Sequence, residues 1–175
     1  MAGDAHWLMG LVRDIADYPS PGVTFRDITP LLGDADGFAA SIDELVERFR
    51  DVGVDRVLGM EARGFIVAAP VAYRLGAGFI PVRKAGKLPW AVIREEYQLE
   101  YGSDVLEVHR DAISPDERIL VIDDVLATGG TADATCRRGE TLGGVVVGLG
   151  FLIELPGLGG RQRLGERRVE SLARY

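Results

Sequence analysis

The chain has 175 residues, 47% hydrophobic and 27% charged, a length and composition that suit one globular domain with a full core. A formal charge of −7 argues against non-specific nucleic-acid binding, which needs a basic surface. No apolar run approaches the roughly 20 residues of a membrane span, and MAGDAHWLMG lacks the charged and apolar regions of a secretory leader, so a cytoplasmic protein is expected.

In chain order, Trp7, Leu8, Leu11, Val12 and Ile15 recur with helical spacing and predict a helix over residues 6–17. SPGVTFRDITPLL then reads as an extended segment opened by Pro and Gly. Asp36 is placed to cap an amphipathic helix whose stripe is Phe38, Ile42, Leu45, Val46 and Phe49. A strand over 54–60, a helix over 64–76 and a strand over 78–83 follow. Residues 84–103 are polar and without a steady period, which predicts a long mobile loop. A strand over 104–112, an apolar strand over 118–122, a helix over 130–142 and a strand over 144–153 complete the series. Strand and helix in alternation imply an α/β fold, with right-handed crossovers and a mainly parallel twisted sheet flanked by helices. No repeat, low-complexity tract or linker divides the chain, so residues 1–175 read as a single domain.

Glycine is over-represented, at 23 residues or roughly 13% against about 7% on average, which suggests tight turns or loops where a ligand nears the backbone. Cys136 is the single cysteine, so no internal disulfide forms; with only His6 and His109 beside it, a zinc site lacks ligands. Sheets of this kind bind ligands outside the carboxyl ends of their strands. EARG after Met60, KAGKLP after Arg83 and DDVLATGGT after Ile122 all fall at such ends, and are expected to open on one side.

In VIDDVLATGGT, residues 121–131, a buried strand runs into two acids and then a small-residue loop that starts a helix. Glycines free backbone N–H groups to point inward, the helix start adds partial positive charge, and Thr128 and Thr131 supply hydroxyls. This is a phosphate cradle without the lysine of the NTPase loop, and no GxGxxG, GxSxG or HExxH motif accompanies it. Asp123 and Asp124 would repel the same phosphate unless they face another part of the ligand. Vicinal hydroxyls are strong donors to carboxylates, so the stretch describes a ribose 5-phosphate.

VIDDVLATGGT resembles the phosphoribosyl pyrophosphate (PRPP) motif of the type I phosphoribosyltransferases. PGVTFRDITPLL, EARGF, PVRKAGKLP and LEYGSDVLEVHRDAI resemble the adenine-specific branch of that family, in the same order, between about residue 14 and residue 153. The tail GLGGRQRL is compatible. Gly139 departs from the family pattern, which has a larger residue there, and the last strand ends at Tyr175 with little tail. Enzymes for 6-oxopurines carry an Asp three residues after the second acid, where this chain has Ala127, which favours adenine.

The resemblance implies transfer of a 5-phosphoribosyl group from PRPP to adenine, giving AMP and pyrophosphate, a purine-salvage reaction, by a homodimer. A small base-binding hood would come from residues 1–33. Thr24, Phe25 and Arg26 would bind adenine, with Leu126 on the opposite face; Ala127, Thr128, Gly129, Gly130 and Thr131 would bind the phosphate. Glu61, Ala62, Arg63, Arg83, Lys84 and Lys87 would bind pyrophosphate, with a cis peptide at Glu61–Ala62 and with Arg83 and Lys84 assisting, across a dimer interface in one arrangement. Asp123 and Asp124 would serve catalysis with Glu100, the proton-handling residue of the loop, and Tyr101 beside it. Mg2+ would be held by PRPP and water, with no direct protein ligand and with Asp123 or Asp124 reached through water. Neither a nucleic acid nor a membrane is an expected partner. Two other readings remain open: a PRPP-binding regulator of this fold, and a phosphoribosyltransferase for a different base.

Overall fold

The computed structural model describes residues 6–98 and 103–175. The elements are α1 (His6–Met9), β1 (Arg13–Ile15), β2 (Phe25–Asp27), α2 (Thr29–Gly33), α3 (Ala35–Phe49), β3 (Arg56–Met60), α4 (Arg63–Leu75), β4 (Gly78–Lys84) and β5 (Val92–Gln98). They continue with β6 (Ser103–His109), β7 (Arg118–Leu126), α5 (Gly130–Thr141), β8 (Val145–Glu154), α6 (Gly160–Arg163) and β9 (Val169–Arg174). Seven strands form one sheet in the order β5-β6-β4-β3-β7-β8-β9. The block β4-β3-β7-β8-β9 is parallel, and β6 and β5 join antiparallel at one edge. No helix of the described residues is long and apolar enough to cross a membrane.

Alternation along the central strands sorts the core into two layers. Leu120 and Ile122 of β7 and Val57 of β3 pack with Ile42, Leu45 and Phe49 of α3 and Val67 and Val71 of α4. Ile119 and Val121, with Leu58 and Met60, pack on the other face with Ala132 and Cys136 of α5. Because both faces are covered, β7 reads as a continuous apolar run rather than an alternating one. Leu45 and Phe49 are fully buried, each contributing about 1.5–3 kcal/mol relative to exposure.

Three local expectations are corrected. The helix expected over 6–17 stops at Met9: backbone N–H groups of Gly10, Leu11 and Val12 reach back only three residues, and the chain unwinds. Residues 13–15 pair with 25–27 as a separate two-stranded sheet, tied by Arg26–Asp14 and Arg13–Asp27 ion pairs. The cap of α3 is Asp34 rather than Asp36, since a single extended residue joins α2 to α3 and the Asp34 carboxylate accepts from the Gly37 N–H at 2.7 Å. The loop expected over 84–103 contains β5, which pairs in register from Val92↔His109 to Gln98↔Ser103. It is an edge strand rich in charge, and such strands lack the apolar alternation that betrays a buried one.

Gly139, where the chain departs from the family pattern, has a packing reason. A Cβ there would lie 2.8 Å from Cδ1 of Ile119, so α5 sits closer to β7 than a side chain allows. The close contact accounts for a residue that costs about 1 kcal/mol in helix propensity. Gly139→Leu should lose about 1–3 kcal/mol through overpacking, read as a lower midpoint in urea unfolding at unchanged slope. An unchanged or raised midpoint would contradict this packing.

Candidate active site

The carboxyl ends of β3, β4 and β7 open on one side of the sheet, as anticipated. Residues from after β3, from the end of β4 and from β7 line a cavity of about 600 Å³ together with Val23, Thr24, Phe25 and Arg26 from the β1–β2 region. That is ample for a nucleotide-sized ligand. Asp123 and Asp124 lie within β7, which stays paired with β8 through Leu126↔Glu154, so they belong to the strand and not to the turn after it. Firm pairing on the neighbouring strand is what holds two like charges in fixed positions.

Asp123 accepts from the Asp124 N–H at 2.9 Å and retains some surface toward the cavity. Burial pushes its carboxyl well above the ordinary carboxylate range, and the Asp124 carboxylate beside it pushes the same way. Arg63, the first residue of α4, brings Nε to 2.7 Å from Oδ2 of Asp124. The contact is an ion pair rather than an aligned hydrogen bond, and it covers that oxygen. The Arg63 guanidinium also lies 5.0 Å from the centre of the Phe25 ring. Acid pair, cation and aromatic wall therefore share one space.

After Leu126 the chain turns through Ala127 and Thr128 into Gly129, whose φ of +77° favours glycine, and α5 starts at Gly130. Residues 125–132 surround a smaller hollow of about 80 Å³, with Asp123 and Phe151 completing the wall. Here the helix start, its free N–H groups and two threonines face a space of anion size.

The basic residues divide. Lys84 lines the large cavity beside Leu106. Arg83 and Lys87 are held by Glu61, through Arg83 Nε at 2.8 Å and Lys87 Nζ at 2.5 Å. Burial raises the pKa of Glu61, but these two hydrogen bonds more than offset it, and the carboxyl lies below its usual range. The peptide Glu61–Ala62 is cis. Glu100 and Tyr101 lie outside the described residues.

On the base side, Phe25 meets Tyr18 edge-to-face at 5.3 Å between centroids. The Arg26 side chain is engaged elsewhere, with Asp14 and over the Tyr175 ring at 4.4 Å. Leu126 does not form the opposite wall, because its side chain is 1% exposed and packs in the core under α5. Its neighbour Val125 lines the cavity, with Leu155 and Leu158 from the segment after β8. Leu158, 47% exposed and apolar in an LPGLGG loop, carried a weak signal that periodicity alone does not pick out.

Among the described residues no three His, Cys, Asp or Glu side chains gather into a metal site. An acid pair lining the cavity, in which one group is pushed toward protonation by burial and by its neighbour and the other holds the Arg63 guanidinium, fits hydroxyl donors or a water-bridged cation.

Comparison with known proteins agrees with this geometry. The phosphoribosyl transferase domain family matches residues 27–171. An adenine phosphoribosyltransferase of Solibacter usitatus (strain Ellin6076) is 56% identical over 168 residues, covering 96% of this chain and 97% of its own length. One from Acidothermus cellulolyticus (strain ATCC 43068 / DSM 8971 / 11B) is 58% identical over 163 residues, covering 93% of this chain and 92% of its own. Among solved structures, adenine phosphoribosyltransferase from Thermoanaerobacter pseudethanolicus superposes with a TM-score of 0.95 at 45% identity, covering 98% of this chain and 99% of that one. The Saccharomyces cerevisiae enzyme, complexed with an imino-altritol bisphosphate and adenine, superposes with a TM-score of 0.91 at 36% identity, covering 98% and 99%. This chain belongs to the phosphoribosyltransferase family, in its adenine phosphoribosyltransferase branch.

Proposed function

We propose that this chain transfers the 5-phosphoribosyl group of PRPP to adenine, releasing pyrophosphate and forming AMP in purine salvage. The observation that carries the reading is a cavity holding the acid pair and the aromatic wall, beside a smaller hollow at the helix start that shares Asp123, Val125, Ala127 and Thr131 with it. The cradle Ala127–Thr128–Gly129–Gly130–Thr131 takes the 5-phosphate. Asp123 and Asp124 accept the ribose hydroxyls and stabilise positive charge that develops on the sugar as pyrophosphate departs. Arg63, Lys84, Arg83 and Lys87 receive the leaving pyrophosphate beside Glu61 and Ala62.

Adenine lies between Phe25 and Val125, with backbone groups at Thr24 and Arg26 reading its edge. Adjacent N–H and C=O groups match its N1 acceptor and N6 donor, whereas a 6-oxo group would set acceptor against acceptor. Ala127 leaves no carboxylate to hold a 6-oxopurine at N7. Glu100 handles the proton of the purine, with Tyr101 beside it. Mg2+ would supply the charge that neutralises the departing pyrophosphate, and Asp123 or Asp124 would face it through water.

The chain works as a single phosphoribosyltransferase domain in the cytoplasm, with about residues 1–33 as the base-binding hood. A homodimer is supported by exposed apolar side chains on α4, where Ile66 is 44% and Tyr73 84% exposed, and on β4, where Phe79 is 37% exposed. Apolar area of this kind suits a second copy, and Arg83 and Lys84 would assist across that interface.

The deciding assay offers PRPP and Mg2+ with adenine, hypoxanthine, guanine, xanthine, uracil or orotate in turn. AMP should dominate, since mismatched buried hydrogen-bond groups discriminate by about 10⁴, and chelation should abolish it. A better yield with a 6-oxopurine or pyrimidine would overturn the base assignment; PRPP binding with no turnover would indicate a regulator. Asp124→Ala should lower kcat/KM for PRPP by about 10- to 150-fold, from loss of a charged hydrogen bond; unchanged kinetics in a folded variant would sink the ribose assignment. Glu100→Gln should slow turnover by about 10² to 10⁴ while PRPP affinity holds, and normal AMP formation would remove Glu100 from the chemistry.

A further inference from the structure

Behind the cradle lies a buried cluster that the proposed chemistry does not use. Glu154, the last residue of β8, is 3% exposed, yet it carries a full set of donors. Arg161 grips it with both Nε and Nη2, at 2.8 and 2.6 Å, the Ser171 hydroxyl donates at 2.6 Å, and Arg174 Nε stands 3.3 Å away. Through Nη1, Arg161 also donates to the Val169 carbonyl at 2.8 Å. One guanidinium thus ties α6 to β8 and to β9. With such donors the Glu154 carboxyl titrates at about 2 and stays charged at any working pH.

The residue before Arg161 explains why this matters. Gly160 meets the cradle backbone to backbone, with no side chain between. A Cβ at Gly129 would lie 2.7 Å from the Gly160 carbonyl oxygen and 3.1 Å from its Cα. A Cβ at Gly160 would collide with the Ala127 carbonyl oxygen and come within 2.8 Å of Leu126 Cδ1. The Leu155 N–H donates to the Leu126 carbonyl at 2.9 Å, which ties the two segments once more. Packed backbones do not flex apart as side chains do, so a displacement of α6 is passed to Ala127 and Gly129. From the same segment, Leu155 and Leu158 form part of the cavity wall.

We propose that Glu154 and Arg161 are positioning residues, which hold Gly160 as the rear wall of the phosphate cradle and so set the affinity for the phosphate end of the substrate. The proposal rests on the reading of Ala127–Thr131 as the phosphate site. It assigns the C-terminal segment a role in binding PRPP, with a smaller effect on the base through Leu155 and Leu158.

The test compares wild type with Gly160→Ala, Arg161→Met and Arg161→Lys, alongside Val46→Ala, a core change in α3 that serves as a destabilised control. KM for PRPP and for adenine and kcat are measured, with AMP and adenine affinities by calorimetry and melting temperature for each. Gly160→Ala and Arg161→Met should raise KM for PRPP and weaken AMP by about 10- to 100-fold, with adenine affinity changed less than about twofold. Arg161→Lys, which loses the bidentate grip but keeps charge, should move the same way by less and replaces Arg161→Met if that variant does not fold. Val46→Ala should lower the melting temperature without altering KM for PRPP. Unchanged KM for PRPP in the folded Gly160 and Arg161 variants, or an equal rise in Val46→Ala, would overturn the proposal. Absence of AMP formation by wild type would instead strike at the catalytic reading itself.

Discussion

Everything in the site depends on two like charges being held side by side at the end of a paired strand. At about 4 Å, two unit charges repel by about 4 kcal/mol in the effective dielectric of a protein surface. The arrangement is stable only with a proton, a cation or hydroxyl donors between and around the carboxylates. In the free protein, the upward push on Asp123 and the Arg63 guanidinium against Asp124 answer that demand. On the proposed reading a ribose ring would bring two hydroxyls and developing positive charge, and would supply the same compensation during the reaction, so that the acid pair would favour the transition state.

From that constraint the neighbouring architecture follows. An anion needs a donor-rich place at a fixed distance from the acids, and the start of α5 supplies it within a few residues of the same strand. The turn between them is narrow because Gly129 adopts positive φ and presses on Gly160. On the opposite side, Glu61 keeps Arg83 and Lys87 near the cavity without letting their charge reach the acids unopposed. Charge is thus distributed in three zones, and the sheet keeps them apart.

The parts that lie on buried parallel strands were legible in the sequence, because their apolar runs and the loops after them are dictated by burial. VLGMEARG and LVIDDVLATGGT carry both the fold and its ligand side in a single pattern. The β1–β2 pairing was not legible, since its apolar spacing over 7–15 also satisfies a helix, and the choice is made by Gly10 and by contacts with residues 25–27. Nor was β5, whose edge position removes the alternation on which recognition relies. Val125 rather than Leu126 lines the cavity because β7 runs past the acids to Leu126, which turns into the core, and an apolar run that ends at Ile122 carries no sign of this. The support behind the cradle was invisible for a different reason. Glu154, Arg161 and Ser171 are separated in sequence, and only the parallel pairing of β8 and β9 brings them together.

A crystal structure of the protein with AMP bound tests the central claim most directly. It should place the 5-phosphate on the N–H groups and hydroxyls of residues 128–131 and the ribose hydroxyls on Asp123 and Asp124. Adenine should lie between Phe25 and Val125, its edge against the backbone of residues 24–26. A phosphate bound away from the start of α5, or a ribose with no contact to either carboxylate, would contradict the account.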